Sequence, residues 1–132
     1  MSARDVSAVV IAMNVLYESE NQLKPILKQH GISMNEWLVL KVRYLDFAST
    51  PSEIAAYLNM QRASITRHVE NLCVRKLLSR NYSKEDRRVV ELVVTDAGIK
   101  LCKKIFSYYP HITRKVDNRL QGNERKLWKS IS

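Results

Sequence analysis

The chain has 132 residues, 45% of them hydrophobic, which is enough for one domain with a modest core. A formal net charge of +9 and a pI near 9.8 point to an anionic partner, nucleic acid first. The two cysteines, Cys73 and Cys102, form no CxxC pair, which excludes a disulfide framework or a cysteine zinc site and suits a reducing cytoplasm.

The charge is unevenly placed. Residues 1–49 carry 5 basic and 5 acidic groups, residues 50–98 carry 8 and 6, and residues 99–132 carry 9 and 2. Net charge alone therefore does not locate a binding face. The one long apolar run, Ala8 to Leu16, is interrupted by Asn14 and is too short to span a bilayer. It has no basic segment before it and no small-residue cleavage site, so neither a membrane span nor a secretory leader is expected.

From the N-terminus, Val6, Val9, Met13, Leu16, Leu23 and Leu27 recur at helical spacing, predicting a long helix from residue 5 to about 29. Val10, Ile11, Val15 and Tyr17 widen the apolar surface beyond one stripe, so the helix must bury more than one side. In a chain this short a second subunit is the natural cover. Pro25 should kink this helix and Gly31 should end it. Ser33 and Glu36 form a capping-box pattern that opens a second helix through Trp37, Leu40 and Leu45. Thr50-Pro51-Ser52-Glu53 opens a third, short helix with a threonine cap, a proline at the first position and glutamate at the third. A tight turn at Asn59-Met60 leads into a fourth, from Arg62 to Lys76, and the pair makes a helix-turn-helix.

In this fourth helix Ile65, Val69 and Leu72 define a buried face. Ala63, Thr66, Arg67, Glu70, Asn71 and Val74 then fall on or near the opposite side. Small, hydroxyl, amide and guanidinium groups suit a helix lying against base edges in a major groove. Two short strands, Leu77 to Tyr82 and Val89 to Thr95, follow around the charged loop Ser83 to Arg88. A helix followed by a basic hairpin is a winged-helix arrangement. Beyond it, Thr95 caps a helix through Leu101, Ile105 and Tyr108, which Tyr109-Pro110 should interrupt. His111 to Leu120 and Glu124 to Ile131 read as further helix, separated by Gln121-Gly122-Asn123.

Ser64-Ile65-Thr66-Arg67, Leu77-Leu78-x-Arg80, Asp86-Arg87-Arg88 and Val94-Thr95-Asp96-Ala97-Gly98 stand in ungapped order. In these elements the chain resembles the MarR family of bacterial winged helix-turn-helix transcription regulators, over roughly residues 5 to 132. The last element is close to the family's Leu-Thr-x-x-Gly. The fold class expected is mainly α with a small β-hairpin wing, as a single domain of residues 1–132. Residues of about 5–30 and 99–132 would be a helical dimerisation region, and about 33–98 the winged helix-turn-helix. Lys76 stands where the family usually has glycine; if that turn is left-handed, lysine carries strain on the order of 1 kcal/mol. Gln61 replaces the more usual serine or aspartate cap.

The contacts expected on DNA come from the recognition helix and the wing. On the helix they are Gln61, Arg62, Ala63, Ser64, Thr66, Arg67 and Asn71, with Arg67 the best candidate for a bidentate guanine contact. Gln61 and Arg62 sit where helix amides favour a phosphate. Glu70 has two readings, accepting from cytosine N4 or supporting Arg67 along the helix. On the wing they are Arg80, Lys84, Asp86, Arg87 and Arg88. The resemblance implies that Arg88 enters the minor groove and that Asp86 pairs with it, which suits a long cation over a narrow A·T groove. It also implies a crevice for a small aromatic or phenolic effector, to which Tyr17, His30, Trp37 and Tyr44 are the candidate contributors, although aromatic residues at helical spacing more often serve a core.

The function expected is a cytoplasmic homodimer that binds double-stranded DNA at a pseudo-palindromic promoter site, repression being the commoner mode in such families. The alternative is a winged-helix module that binds nucleic acid non-specifically, or binds a protein partner. An enzyme finds little support, with no phosphate-binding glycine loop and no nucleophile beside a paired histidine. His30, His68 and His111 have no metal-ligand spacing, so neither a metal nor a cofactor is expected. Cys73 lies near the buried face, where a thiol acts as a small hydrophobe.

Overall fold

The structure, a computed structural model, describes residues 2–120 and 122–131. These form α1 (Ala3–Gln29), α2 (Met34–Tyr44), α3 (Pro51–Leu58), α4 (Arg62–Val74), β1 (Leu78–Tyr82), β2 (Val90–Val94), α5 (Asp96–Phe106), α6 (Tyr109–Arg119) and α7 (Asn123–Ile131). The expected class, helices plus one small hairpin, is what the chain adopts. The elements fall into two compact units, residues 31–106 and residues 1–30 with 107–132. α5 belongs to the first of these.

The central unit is built from capped helices and tight turns. The Ser33 hydroxyl accepts the Glu36 amide at 3.1 Å while the Glu36 carboxylate accepts the Ser33 amide at 2.9 Å. Thr50 and Glu53 repeat the arrangement at 3.2 and 3.0 Å, with Pro51 in the first turn. Both capping boxes are therefore closed. At their other ends α2, α3 and α4 each turn through a left-handed residue that is not glycine, namely Asp46, Asn59 and Lys76. At Lys76, with φ 59°, the Leu77 amide reaches the Leu72 carbonyl and the Lys76 amide the Cys73 carbonyl, both at 2.9 Å. This is a Schellman turn, so the lysine indeed occupies a position where glycine would be unstrained.

β1 and β2 pair antiparallel in the register Leu78↔Val94 to Tyr82↔Val90. β1 starts one residue later than its apolar run, because Leu77 closes the α4 turn, and β2 is one residue shorter at each end, because Val89 closes the loop onto Asp86 and Thr95 caps α5. The core of this unit is Trp37, Val39, Leu40, Val42, Ile54, Ile65, Val69, Leu72, Leu78, Leu92, Cys102 and Ile105. Phe106 packs its ring near Trp37 (5.3 Å, edge-on) and near Tyr44 (5.9 Å). Gly98 is required by a close approach: a Cβ there would lie 2.2 Å from the Leu77 carbonyl oxygen and 2.7 Å from Val94. The Thr95 hydroxyl caps α5 by accepting the Gly98 amide at 3.0 Å and donates to the Lys76 carbonyl at 2.6 Å.

In the terminal unit Ile112 and Val116 of α6, with Leu120 at its C-cap, pack with Val15, Leu23 and Ile26 of α1 and with Trp128 of α7. Ile11, Val15, Leu23, Ile26 and Leu27 thus lie on the covered side of α1. Val9, Met13 and Leu16 of the expected stripe are instead 60%, 65% and 59% exposed, flanked by exposed Val10 and Tyr17. The side chains of Val6, Asn123 and Ile131, and residue Gln121, lie outside the described residues. α1 continues as helix past Pro25. The interruption expected at Tyr109-Pro110 comes earlier, at Ser107 and Tyr108, because Pro110 sits in the first turn of α6, where its missing N–H costs nothing. No helix of the described residues is long and apolar enough to cross a membrane.

Candidate nucleic-acid interface

α4 buries Ile65, His68, Val69 and Leu72 and turns Ala63, Thr66, Arg67, Glu70, Asn71 and Val74 outward. His68 joins the buried face, which apolar periodicity alone did not include. Gln61 occupies the N-cap position without a side-chain cap bond, so its side chain does not satisfy the first amides of α4. Arg62 donates to the Ser52 hydroxyl of α3, and the Thr66 hydroxyl donates back to the Arg62 carbonyl at 3.0 Å. Ser64 is half-buried. Arg67 is exposed and makes no hydrogen bond or ion pair among the described residues.

Asn71 is exposed but engaged, hydrogen-bonded through its side chain to Glu36 of α2. Burial pushes the Glu36 carboxyl up, but the bonds from Ser33 and Asn71, with His68 nearby, outweigh it and hold the group below its ordinary value. Glu70 does not support Arg67 along the helix. It accepts from Arg80 of β1 at 2.7 Å, which binds α4 to the hairpin. Arg80 is accordingly committed inside the protein, and this bond holds its guanidinium in the charged form.

At the hairpin tip Asp86 receives Arg88 from three directions: Nε to Oδ1 at 3.1 Å, Nη2 to Oδ2 at 3.2 Å and the Arg88 amide to Oδ1 at 3.0 Å. These bonds lower the Asp86 pKa, the side-chain one most. The Arg88 side chain nevertheless remains 91% exposed. Its fork is braced at one edge while the rest faces solvent. Lys84 and Arg87 are exposed at the same tip and line a shallow hollow with Tyr82 and Ser83. Between the start of α3, α4 and the hairpin lies a cleft of about 390 Å³ lined by Arg62, Arg80 and Arg88 and by Thr50, Ser52 and Thr66. Three guanidinium groups and three hydroxyls around one cleft suit a phosphate or another oxyanion.

The four candidate effector residues are not alike. Trp37 is fully buried and Tyr44 is half-buried against Phe106, so both serve the central core. Tyr17 is exposed on α1, where it lines an open hollow of about 360 Å³ with Asn14, Glu18, Arg119, Leu120 and Glu124. His30 is half-buried at the end of α1. Burial raises the Cys73 thiol above its ordinary value, with Arg80 opposing, and pushes Cys102 up to about 12, which disfavours the reactive thiolate in both.

Sequence reasoning missed Arg43, Ser49 and Ser52. Ser49 offers its carbonyl to the Leu92 amide at 2.8 Å, and Arg43 donates through Nε to the Leu92 carbonyl at 2.5 Å. Neither contact has a periodic spacing that a sequence can display. Ser52 was detectable, since it lies in the first turn of a capped helix immediately before the helix expected to read DNA.

Comparison with known proteins places this arrangement. The family model described as transcriptional regulator SarA/Rot matches residues 21–105. The HTH-type transcriptional regulator YhbI of Bacillus subtilis is 30% identical over 119 residues, 89% of this chain and 77% of that protein. A mutant MarR from E. coli, solved in complex with operator DNA, has a similar fold with TM-score 0.72 and 20% identity, covering 94% of this chain and 89% of that one. A mutant MepR from S. aureus bound to an oligodeoxyribonucleotide gives TM-score 0.70 and 22% identity, covering 93% and 90%. The chain therefore belongs to the SarA/Rot family of transcriptional regulators and carries the winged-helix fold of MarR-type regulators.

Proposed function

We propose that this regulator binds double-stranded DNA sequence-specifically as a homodimer on a pseudo-palindromic promoter site. α4 lies in a major groove and the hairpin tip in the flanking minor groove, and bound dimers repress by occluding the promoter in the cytoplasm. The observation that carries the reading is the pairing of two differently prepared arginines. Arg67 projects from α4 without an internal partner, and Arg88 projects from the tip with its rotamer held by Asp86. A solvated charged turn has no need of a three-bond brace, whereas a cation entering a narrow groove gains from one. The solved MarR and MepR complexes with DNA support the same reading.

Dimerisation through the terminal unit is supported by the exposed stripe Val9, Met13, Leu16 and Tyr17, a continuous apolar surface on one helix. Exchanging Met13 and Leu16 for aspartate should convert the dimer to a folded monomer in sedimentation analysis; an unaltered dimer would remove this face from the interface. Response to a small aromatic or phenolic effector is supported by Tyr17, exposed in a hollow that Arg119 also lines. Selection of random duplexes by the purified protein at two salt concentrations tests the reading. It predicts an inverted repeat, whereas binding without a motif and with a steep salt slope would favour the non-specific alternative.

A further inference from the structure

We infer that Arg43 is a positioning residue for the hairpin tip, acting through Leu92. The inference rests on the reading that the tip enters a groove. Leu92 and Arg80 are the middle rung of the hairpin. In an antiparallel pair, backbone groups alternate between facing the partner strand and facing outward. The outward N–H and C=O of Leu92 are both taken, by the Ser49 carbonyl at 2.8 Å and by Arg43 Nε at 2.5 Å. Ser49 and Arg43 thus stand in for a third strand at the rung that carries the wing. On the other strand of that rung Arg80 is tied to Glu70 of α4 at 2.7 Å, so the rung is gripped from both sides.

The grip needs a guanidinium. Arg43 is 16% exposed and also donates through Nη1 to Asp46 at 2.8 Å, with Nη2 3.7 Å from Glu91. One planar group thus meets a carbonyl and two carboxylates in three directions, which a point-like ammonium cannot reproduce. Asp46, whose carboxylate orients the fork, is itself one of the three left-handed turn residues. A two-stranded hairpin is marginal in water, so outside bonds decide the angle at which it projects. Arg88 lies four residues from Leu92, roughly 13 Å along a strand, so a tilt of about 10° at the rung moves the tip by about 2 Å.

The test uses the full chain and two readouts. Without DNA, Arg43→Gln should speed amide exchange throughout the hairpin and leave α4 amides unchanged. With the selected duplex, Arg43→Gln should weaken binding roughly tenfold in the Arg88 protein but less than twofold in an Arg88→Ala background, with Arg43→Lys giving little rescue. Equal loss in both backgrounds, or unchanged hairpin exchange, would overturn the assignment. Should Arg43→Gln fail to fold, Asp46→Asn, at an exposed position, is expected to act in the same direction with a smaller effect, and no effect there would count against the assignment. If wild-type binding proves indifferent to Arg88, the groove reading fails on its own, while the exchange experiment still decides whether Arg43 holds the rung.

Discussion

The outward face of α4 and the hairpin beside it each present an exposed arginine, Arg67 and Arg88, yet the two are prepared in opposite ways. Arg67 on α4 has no internal partner among the described residues. On the hairpin side Arg80 is held by Glu70, Arg88 by Asp86, and the rung beneath them by Arg43. A long side chain loses roughly 1.5–2 kcal/mol of rotamer freedom when it is fixed. For the hairpin that cost is met within the folded protein, so a tip recognising groove shape arrives with its cation already aimed. For α4 it is deferred, which suits a side chain that must match a donor and acceptor pattern presented only by the correct base. On the proposed function, the difference separates readout of shape from readout of sequence.

The largest way to break this comparison acts on the hairpin's seat. Gly98→Ala places a methyl against the Leu77 carbonyl and Val94, at the two ends of the hairpin's base. It should cost on the order of 3 kcal/mol, read as a lower thermal midpoint. Next, Arg67→Ala should remove roughly 1–3 kcal/mol of discrimination at one base position per half-site in a duplex panel. A uniform loss across sequences would mark it as a phosphate contact instead. Lys76→Gly should relieve the left-handed strain at the α4 end and stabilise the fold by at most about 1 kcal/mol in chemical denaturation.

The smallest effect is one of pH. Because the folded Asp86 pKa is lowered, its contribution is fully present above the unfolded carboxylate value and is lost as pH falls through the folded value. Arg88-dependent binding should therefore be flat between roughly pH 5 and 8, as a titration of binding would show.

What was legible in the sequence was local. The capping boxes at Ser33 and Thr50 follow from residue types three apart, and the left-handed Lys76 was signalled by the resemblance, since the MarR family usually has glycine there. The hairpin could be read from two apolar runs around a charged loop, although Leu77 and Val89 closed turns rather than extending strands. What was not legible was long-range. The Glu70–Arg80 bond spans ten residues, and Arg43 reaches Leu92 across 49, so tertiary packing alone brings them together. The covered side of α1 was legible only in part, through Leu23 and Leu27, because a helix apolar on several sides does not announce which side its own chain will cover. Among the site residues, Arg67 and Arg88 stand outward, as the sequence reading of this interface expected, whereas Arg80 and Asn71 have partners within the protein.

The central claim is that a braced Arg88 reads groove shape while an unbraced Arg67 reads bases. Its most direct test compares affinities for one selected site flanked either by an A·T tract or by G·C pairs, using the wild-type protein, Arg88→Ala and Arg67→Ala. The account predicts that Arg88→Ala abolishes the preference for the A·T flank, while Arg67→Ala weakens binding to both flanks equally and keeps that preference. A flank preference that survives Arg88→Ala would contradict it.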